Sequence, residues 1–323
     1  MSNTKEIQRR IKSVQNTRKI TSAMEMVAAT KMKRAAEAVL ATRTYANLSW
    51  ETILNLSQVN GAASMHPLLT RREKVKKVGV ILITSNRGLC GGFNNKIIQK
   101  AHDSVLKHPY NKDNEPIETE FILMGKRGRA IYKYYGYNIA AEFDKPDLAG
   151  TVNEVAPVAQ MAVNDFLAEK YDKIMVAYTD YVSASVQVPR VKQILPVDIE
   201  AQDEYLGIMG QDTRVGVDKE YMEQKSEKHA STGDHTQEYT FEPSPREVLD
   251  EMVPRLVEVQ LLQALLESNA SEHSARMNAM HQATDSANEI VHDLTLYYNK
   301  ARQAAITSEI SEISAGANAL SDQ

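Results

Sequence analysis

From Met1 to Asn60 the chain contains neither glycine nor proline, and from Arg255 to Ala315 it again contains neither. These two residue types punctuate secondary structure more reliably than any other. As one continuous helix, each stretch of about 60 residues would extend roughly 90 Å at 1.5 Å per residue. No compact domain houses such a helix, and a helical pattern running far past about 25 residues indicates a coiled coil. The intervening chain holds all ten prolines and thirteen of the fourteen glycines, so the turns of a folded middle are concentrated there.

The periodicity agrees with two long helices. In the C-terminal stretch one seven-residue series reads Ala270, Met277, Thr284, Val291, Tyr298 and Ala305, and its companion reads His273, Met280, Ala287, Leu294 and Ala301. In the N-terminal stretch Ile7, Ile11, Val14, Thr21, Met24 and Ala28 form a looser stripe, continued by Ala35, Thr42, Tyr45 and Leu48. Many of these residues are small. Small knobs let helices approach closely but bury little apolar area at about 25 cal/mol per Å², so such a coiled coil gains from a surrounding partner. Because both ends of one chain carry these patterns, the simplest packing is an intramolecular antiparallel pair with the middle inserted at one end. A parallel homodimer is the alternative, although dimerising coiled coils use larger Leu or Ile in the seam.

Residues 75–196 alternate strand-like and helix-like runs. Val78 to Thr84 (VGVILIT) is a continuous apolar run suited to a buried strand. Helix is expected over Asn94 to His108, Lys126 to Tyr135 and Val152 to Lys170; strand over Glu120 to Met124, Ile174 to Tyr181 and Ser185 to Leu195. This alternation predicts a twisted, mostly parallel sheet with helices on its faces. The expected division is therefore 1–60 as N-terminal coiled-coil helix, 75–196 as α/β domain, 197–245 as acidic loop or insertion, and 246–323 as C-terminal coiled-coil helix. The acidic segment mixes polar residues with Gly207, Gly210, Gly216, Gly233, Pro243 and Pro245, and reads as a solvated or partner-dependent loop.

Net charge is only −4, but its distribution is uneven. Residues 1–50 carry ten Lys or Arg against Glu6, Glu25 and Glu37, giving +7, whereas residues 200–251 carry fourteen acids against five bases, giving −9. The basic charges surround the first helix without interleaved aromatics to stack on bases, which favours an acidic protein partner over nucleic acid. No apolar run approaches the length needed to span a bilayer, and the polar N-terminus is unlike a secretory signal. The single cysteine, Cys90, precludes an internal disulfide and fits a reducing compartment.

Few residues suggest chemistry. The first strand ends in SNRGLCGGFN, residues 85–94, a glycine-rich turn leading into a helix. Helix N-termini attract anions, yet the turn matches neither dinucleotide-binding nor P-loop spacing. Gly88, Gly91 and Gly92 read as the means to a sharp strand-to-helix turn, with Cys90 a buried thiol. His229 and His235 flank Asp234 in the acidic segment without the spacing of a metal site, and His273, His281 and His292 read as helix residues. No Ser-His-Asp order, paired-carboxylate cleft or Walker lysine stands out. No cofactor or metal is expected.

KEIQRRIKSVQNTRKITSAMEMVAATKM, residues 5–32, resembles the N-terminal helix of the γ subunit of bacterial F-type ATP synthases. Ile306 to Ala319 (ITSEISEISAGANA) fits the signature of that family, an Ile-Thr-x-Glu with a second acid three residues on and then Gly-Ala. Asn299 to Gln303, Glu272 to Met280 and the SNRGLCGGFN turn are also similar to it, so the resemblance spans almost the whole chain.

The resemblance implies an antiparallel coiled coil acting as rotor shaft, a Rossmann-like α/β domain at its base, and no catalytic site of its own. It implies one copy turning inside a ring of three α and three β subunits, with an ε subunit and a membrane ring of c subunits driven by proton or sodium flow. The chain would lie peripherally at the cytoplasmic face of the bacterial inner membrane, without bilayer insertion. Carried over residue by residue, the family's coupling contacts correspond to Met24 and to Arg276, Gln303, Thr307, Glu309 and Glu312, and Met24 with its basic neighbours Arg9, Arg10 and Lys19 suits an acidic loop on β. A cation at position 24 is expected to lie beside Glu309 or β-subunit carboxylates. Residues 203–236 look longer than the common bacterial pattern and lack the cysteines of the chloroplast dithiol switch. The alternative functions are a Rossmann-like nucleotide-binding enzyme and a coiled-coil scaffold.

Overall fold

The computed structural model describes residues 4–58, 66–72, 74–107, 115–148, 150–197 and 245–321. The acidic segment, with His229, Asp234 and His235, lies outside the described residues. Ten elements follow in order: α1 (Thr4–Gln58), β1 (Lys77–Ile83), α2 (Phe93–Lys107), β2 (Glu118–Met124), α3 (Ala130–Tyr135), β3 (Asn138–Phe143), α4 (Ala156–Leu167), β4 (Lys173–Tyr181), β5 (Gln187–Leu195) and α5 (Pro245–Ser321). The chain divides into two compact units, residues 1–28 with 276–323, and residues 29–275. Among the described residues, no helix is long and apolar enough to cross a membrane.

The second unit is built on a five-stranded sheet of order β3-β2-β1-β4-β5. β1 pairs in parallel with β2 and β4, and β2 with β3, while β5 runs antiparallel to β4. The apolar run VGVILI sits centrally, buried on both faces because helices cover both. Alternate residues part the core in two. Ile81, Ile83, Ile122, Met124, Val176 and Tyr178 pack with α4 and with Leu249 to Leu266 of α5. Val80, Leu82, Phe121 and Leu123 pack instead with Ile97, Ile98 and Ala101 of α2 and Ile131.

Several boundaries differ from expectation for local reasons. Lys126–Arg129 is a 3-10 turn before the short α3, since Gly125 at φ 107° breaks helical geometry immediately ahead of it. β3 was absent from the sequence reading. Its pattern NIAAEF alternates exposed and half-buried residues, and two alanines give little strand signal. The helix expected from Val152 to Lys170 is a 3-10 turn over Val152–Glu154 followed by α4, which ends at Leu167. α5 runs through Pro254, which removes an internal hydrogen bond at about 3 kcal/mol. Val253, Leu256 and Val257 beside it are each at most 2% exposed, and burial worth roughly 1.5–3 kcal/mol per side chain outweighs that cost.

In the first unit the two helices run antiparallel. Arg18 Nη1 donates to Asn288 Oδ1 at 3.0 Å, the Thr21 and Thr284 hydroxyls share a 2.8 Å hydrogen bond, and Glu25 Oε1 lies 3.0 Å from His281 Nδ1. Each step along α1 is thus matched by a step back along α5. Met277, Met280, Thr284, Ala287, Val291, Leu294, Tyr298 and Ala301 are all buried or half-buried, and from Met280 to Ala301 every residue between them except Ala283 is exposed, the spacing of a heptad seam. Ile7, Ile11, Val14, Thr21, Met24 and Ala28 form the facing stripe. Ala305 departs from the series and is exposed, as is all of 302–315.

Candidate functional site

The glycine-rich turn follows β1 at the point where the sheet order reverses, between β2 and β4. Asn94, at the start of α2, organises it. Its Oδ1 accepts from the Ser85 backbone N–H at 2.9 Å, and its Nδ2 donates to Ser85 Oγ at 2.7 Å and Cys90 Sγ at 3.2 Å. Ser85 Oγ in turn donates to the Arg87 carbonyl at 2.6 Å. Cys90 is buried, Gly91 has φ 55°, and a Cβ on Gly88 would meet Arg127 Nη2 at 3.0 Å. Gly92 opens onto the Lys96 stem. The side chains of Ser85, Cys90 and Asn94 are therefore engaged in bracing one another.

A second cluster joins α5 to the loops of the sheet. The loop after β3 is clamped from several sides: Asn86 Nδ2 donates to the Lys145 carbonyl at 2.7 Å, Asn269 Nδ2 to the Pro146 carbonyl at 3.2 Å, and His273 Nε2 to the Asp147 carbonyl at 3.1 Å. Lys31 of α1 bonds Asp147 at 3.0 Å, and this hydrogen bond holds the Asp147 carboxyl below the usual carboxylate range. At its centre the Lys145 ammonium pairs with Glu272, with both residues at most 5% exposed. The Phe93 ring lies 5.7 Å below the ammonium. On the same stretch of α5, Ser271 Oγ donates to the Thr179 carbonyl at 3.1 Å and Ser274 Oγ to the Ala184 carbonyl.

The sequence reading missed this cluster. Its signal was ESNASEHS at 267–274, a glycine-free run polar on every side of a helix and yet buried all round. Helix residues of that kind stay in a core only when partners elsewhere in the fold satisfy them. His273, placed by periodicity in the helix seam, is spent instead on the Asp147 carbonyl.

The residues named as coupling contacts are spread along the helices rather than gathered. Arg9, Arg10 and Lys19 are exposed on α1, and Met24 is half-buried in its stripe. Arg276 is half-buried on α5. Gln303, Thr307, Glu309 and Glu312 are exposed; the Thr307 hydroxyl donates to the Gln303 carbonyl at 2.9 Å, and Ser308 Oγ to Glu312 Oε1 at 3.1 Å. One expectation is corrected. Because Glu25 bonds His281, Met24 faces the turn of α5 around Met280 and His281, and Glu309 lies 28 residues beyond His281. At 1.5 Å per residue that is roughly 40 Å, so a cation at position 24 cannot lie beside Glu309. His281 is exposed beside Glu25 and Asp285, and His292 is exposed. Among the described residues, no group of three His, Cys, Asp or Glu could hold a metal ion.

Residues 3–320 match a family model described as ATP synthase. The ATP synthase gamma chain of Chloroflexus aurantiacus is 41% identical over 321 residues, covering 99% of both chains. That of Legionella pneumophila is 34% identical over 320 residues, covering 99% of this chain and all of the relative. Among solved structures, a chain of the mitochondrial ATP synthase of Euglena gracilis superposes with a TM-score of 0.61 at 17% identity, covering 98% of this chain and 94% of that one. A central-stalk chain of the Tetrahymena thermophila mitochondrial enzyme gives 0.54 at 19% identity, covering 82% and 99%. These likenesses show the shared fold, and the full-length match to the curated relatives shows that this chain belongs to the ATP synthase gamma-chain family.

Proposed function

We propose that the chain is the central rotor shaft of an F-type ATP synthase: one copy, without catalytic chemistry of its own, turning inside a ring of three α and three β subunits. The observation that carries this reading is the antiparallel helix pair of the first unit, whose seam ends at Ala301 and leaves Arg302 to Ala315 as an exposed single helix. An exposed helix bearing Ile306, Ile310 and Ile313 at 48–67% exposure suits enclosure by surrounding subunits. Rotation of an asymmetric shaft would present different faces to the three β sites and so exchange their affinities for ADP with phosphate and for ATP. The ε subunit and a proton-driven c ring complete the rotor, at the cytoplasmic face of the bacterial inner membrane. In this account the chain also keeps the working division into helical arms, an α/β base and the acidic segment at 197–245.

The coupling contacts are Met24 with Arg9 and Arg10 on α1, and Arg276, Gln303, Thr307, Glu309 and Glu312 on α5. The exposed cations of α1 suit an acidic loop on β, where complementary charge steers a mobile interface. Replacing Met24 tests the assignment. Met24→Lys brings a cation to the half-buried stripe, where a β carboxylate that approaches the shaft meets it, and adds a contact that must break at every step. ATP hydrolysis by the assembled enzyme should continue while proton pumping per ATP falls. Pumping and hydrolysis that remain in their wild-type ratio would remove Met24 from the coupling contacts.

A further inference from the structure

Two carboxyl groups meet in the interior of the second unit. Glu267, on the face of α5 turned to the sheet, is 1% exposed, and Asp180, near the end of β4, is 2% exposed. Asp180 Oδ2 lies 2.8 Å from Arg190 Nε on β5. Glu267 Oε1 accepts from Gln263 Nε2 at 3.2 Å, and Gln263 Oε1 accepts from the Thr42 hydroxyl of α1 at 3.3 Å. The remaining oxygens, Glu267 Oε2 and Asp180 Oδ1, are buried and find no donor. As carboxylates both groups only accept, and two buried acceptors cannot satisfy one another. One proton removes the conflict, because a protonated Glu267 donates to Asp180 while Asp180 keeps its ion pair with Arg190.

We propose that Glu267 is a buried proton-binding site, holding a proton at neutral pH and donating it to Asp180, and that this proton fastens α5 to the end of β4. The charged groups around it support that state. On β4 the Asp180 carboxylate repels a second negative charge, and on β5 Arg190 is already committed to Asp180. Lys192, also on β5, favours the ionised form but is the weakest influence, and its ammonium lies 5.8 Å over the Tyr178 ring. α1 contributes the neutral Thr42, and the nearest acid along α5, Glu272, is paired with Lys145. Burial, followed by the Asp180 charge, pushes the Glu267 carboxyl up to about 8. The site lies wholly within the second unit, so it stands whether or not the rotary reading does.

Sign and window follow from linkage. The native state keeps a proton that the opened segment loses at an ordinary carboxyl value, so attachment of α5 is strongest in acid and weakens as pH rises to the native value. Hydrogen exchange of the purified full-length chain reads this in peptides covering residues 259–275, after correction for intrinsic exchange rates. The opening constant of wild type should rise about tenfold per pH unit between about pH 5 and pH 8, then level off. Glu267→Gln donates to Asp180 at any pH and should show no such rise. It retains His66, whose burial lowers its pKa and which could add its own slope, so the difference between the two proteins isolates Glu267. A flat wild-type profile, or an unchanged slope in Glu267→Gln, overturns the proposal. Should that variant fail to fold, infrared spectra of wild type decide: a buried protonated-carboxyl band present near about pH 6 and lost by about pH 10 supports the site, and its absence near about pH 6 overturns it.

Discussion

Lys145→Met isolates the joint between the sheet loops and α5. Methionine keeps most of the aliphatic stem but removes the ammonium that neutralises the Glu272 carboxylate at 5% exposure. Breaking one side of a buried ion pair costs about 3–5 kcal/mol. A limit comes from protonation: an ordinary Glu of pKa about 4.3 can be neutralised at about pH 7 for roughly 3.7 kcal/mol, at about 1.4 kcal/mol per unit. Glu272 in the variant should therefore take up a proton once leaving it charged costs more than that. The loss should be about 3–4 kcal/mol at about pH 7 and shrink by about 1.4 kcal/mol for each unit toward about pH 5, because the variant then binds a proton on folding that wild type does not. Adding Glu272→Gln should recover most of the loss by removing the buried charge that Lys145 neutralised. Native-state hydrogen exchange in residues 138–148 and 268–275 measures the opening free energies. A loss below about 1 kcal/mol that does not change between about pH 7 and pH 5 would refute the reasoning.

Gly125 carries a backbone that no other residue should fit: at φ 107° a Cβ there would lie 2.2 Å from the Thr84 carbonyl oxygen. Gly125→Ala should cost about 3 kcal/mol or more in thermal or urea unfolding, whereas Gly136→Ala, at φ 76° with nothing within 4 Å, should cost only about 1–2 kcal/mol. Asp172 accepts from the Lys76 and Lys77 backbone N–H groups at 2.8 and 3.0 Å and from Arg72 Nη1 at 2.9 Å. Burial raises its pKa, but these donors outweigh burial and leave the carboxyl below its ordinary value. Its stabilising contribution is thus present above that ordinary value and lost as pH falls through the lower folded one. Asp172→Asn should cost about 1.5–3 kcal/mol near neutral pH, and the difference from wild type should narrow below about pH 4 in urea titrations at each pH.

The parts of the fold legible in the sequence are those specified by short-range pattern. The series from Met277 to Ala301 repeats every seven residues because a coiled-coil seam leaves no other choice, and VGVILI reads as a central strand because both its faces need apolar contact. Polar bonding across the fold carries no local signature. Glu267 and Asp180 are 87 residues apart and Lys145 and Glu272 are 127, so neither pair stands out until the sheet assembles them. β3 escaped because Ala140 and Ala141 give no β-branched or aromatic cue. For the proposed coupling contacts the motif supplied only candidate positions, while the distance between Met24 and Glu309 needed the antiparallel register of α1 and α5.

The most direct test of the rotor account is co-expression of the full chain with its α and β subunits, followed by measurement of subunit stoichiometry and ATPase activity. The account predicts one copy of this chain per three α and three β, with sustained turnover that falls when residues 303–323 are removed. A chain that enters no complex with α and β, or a complex whose turnover is the same with and without it, would contradict the account.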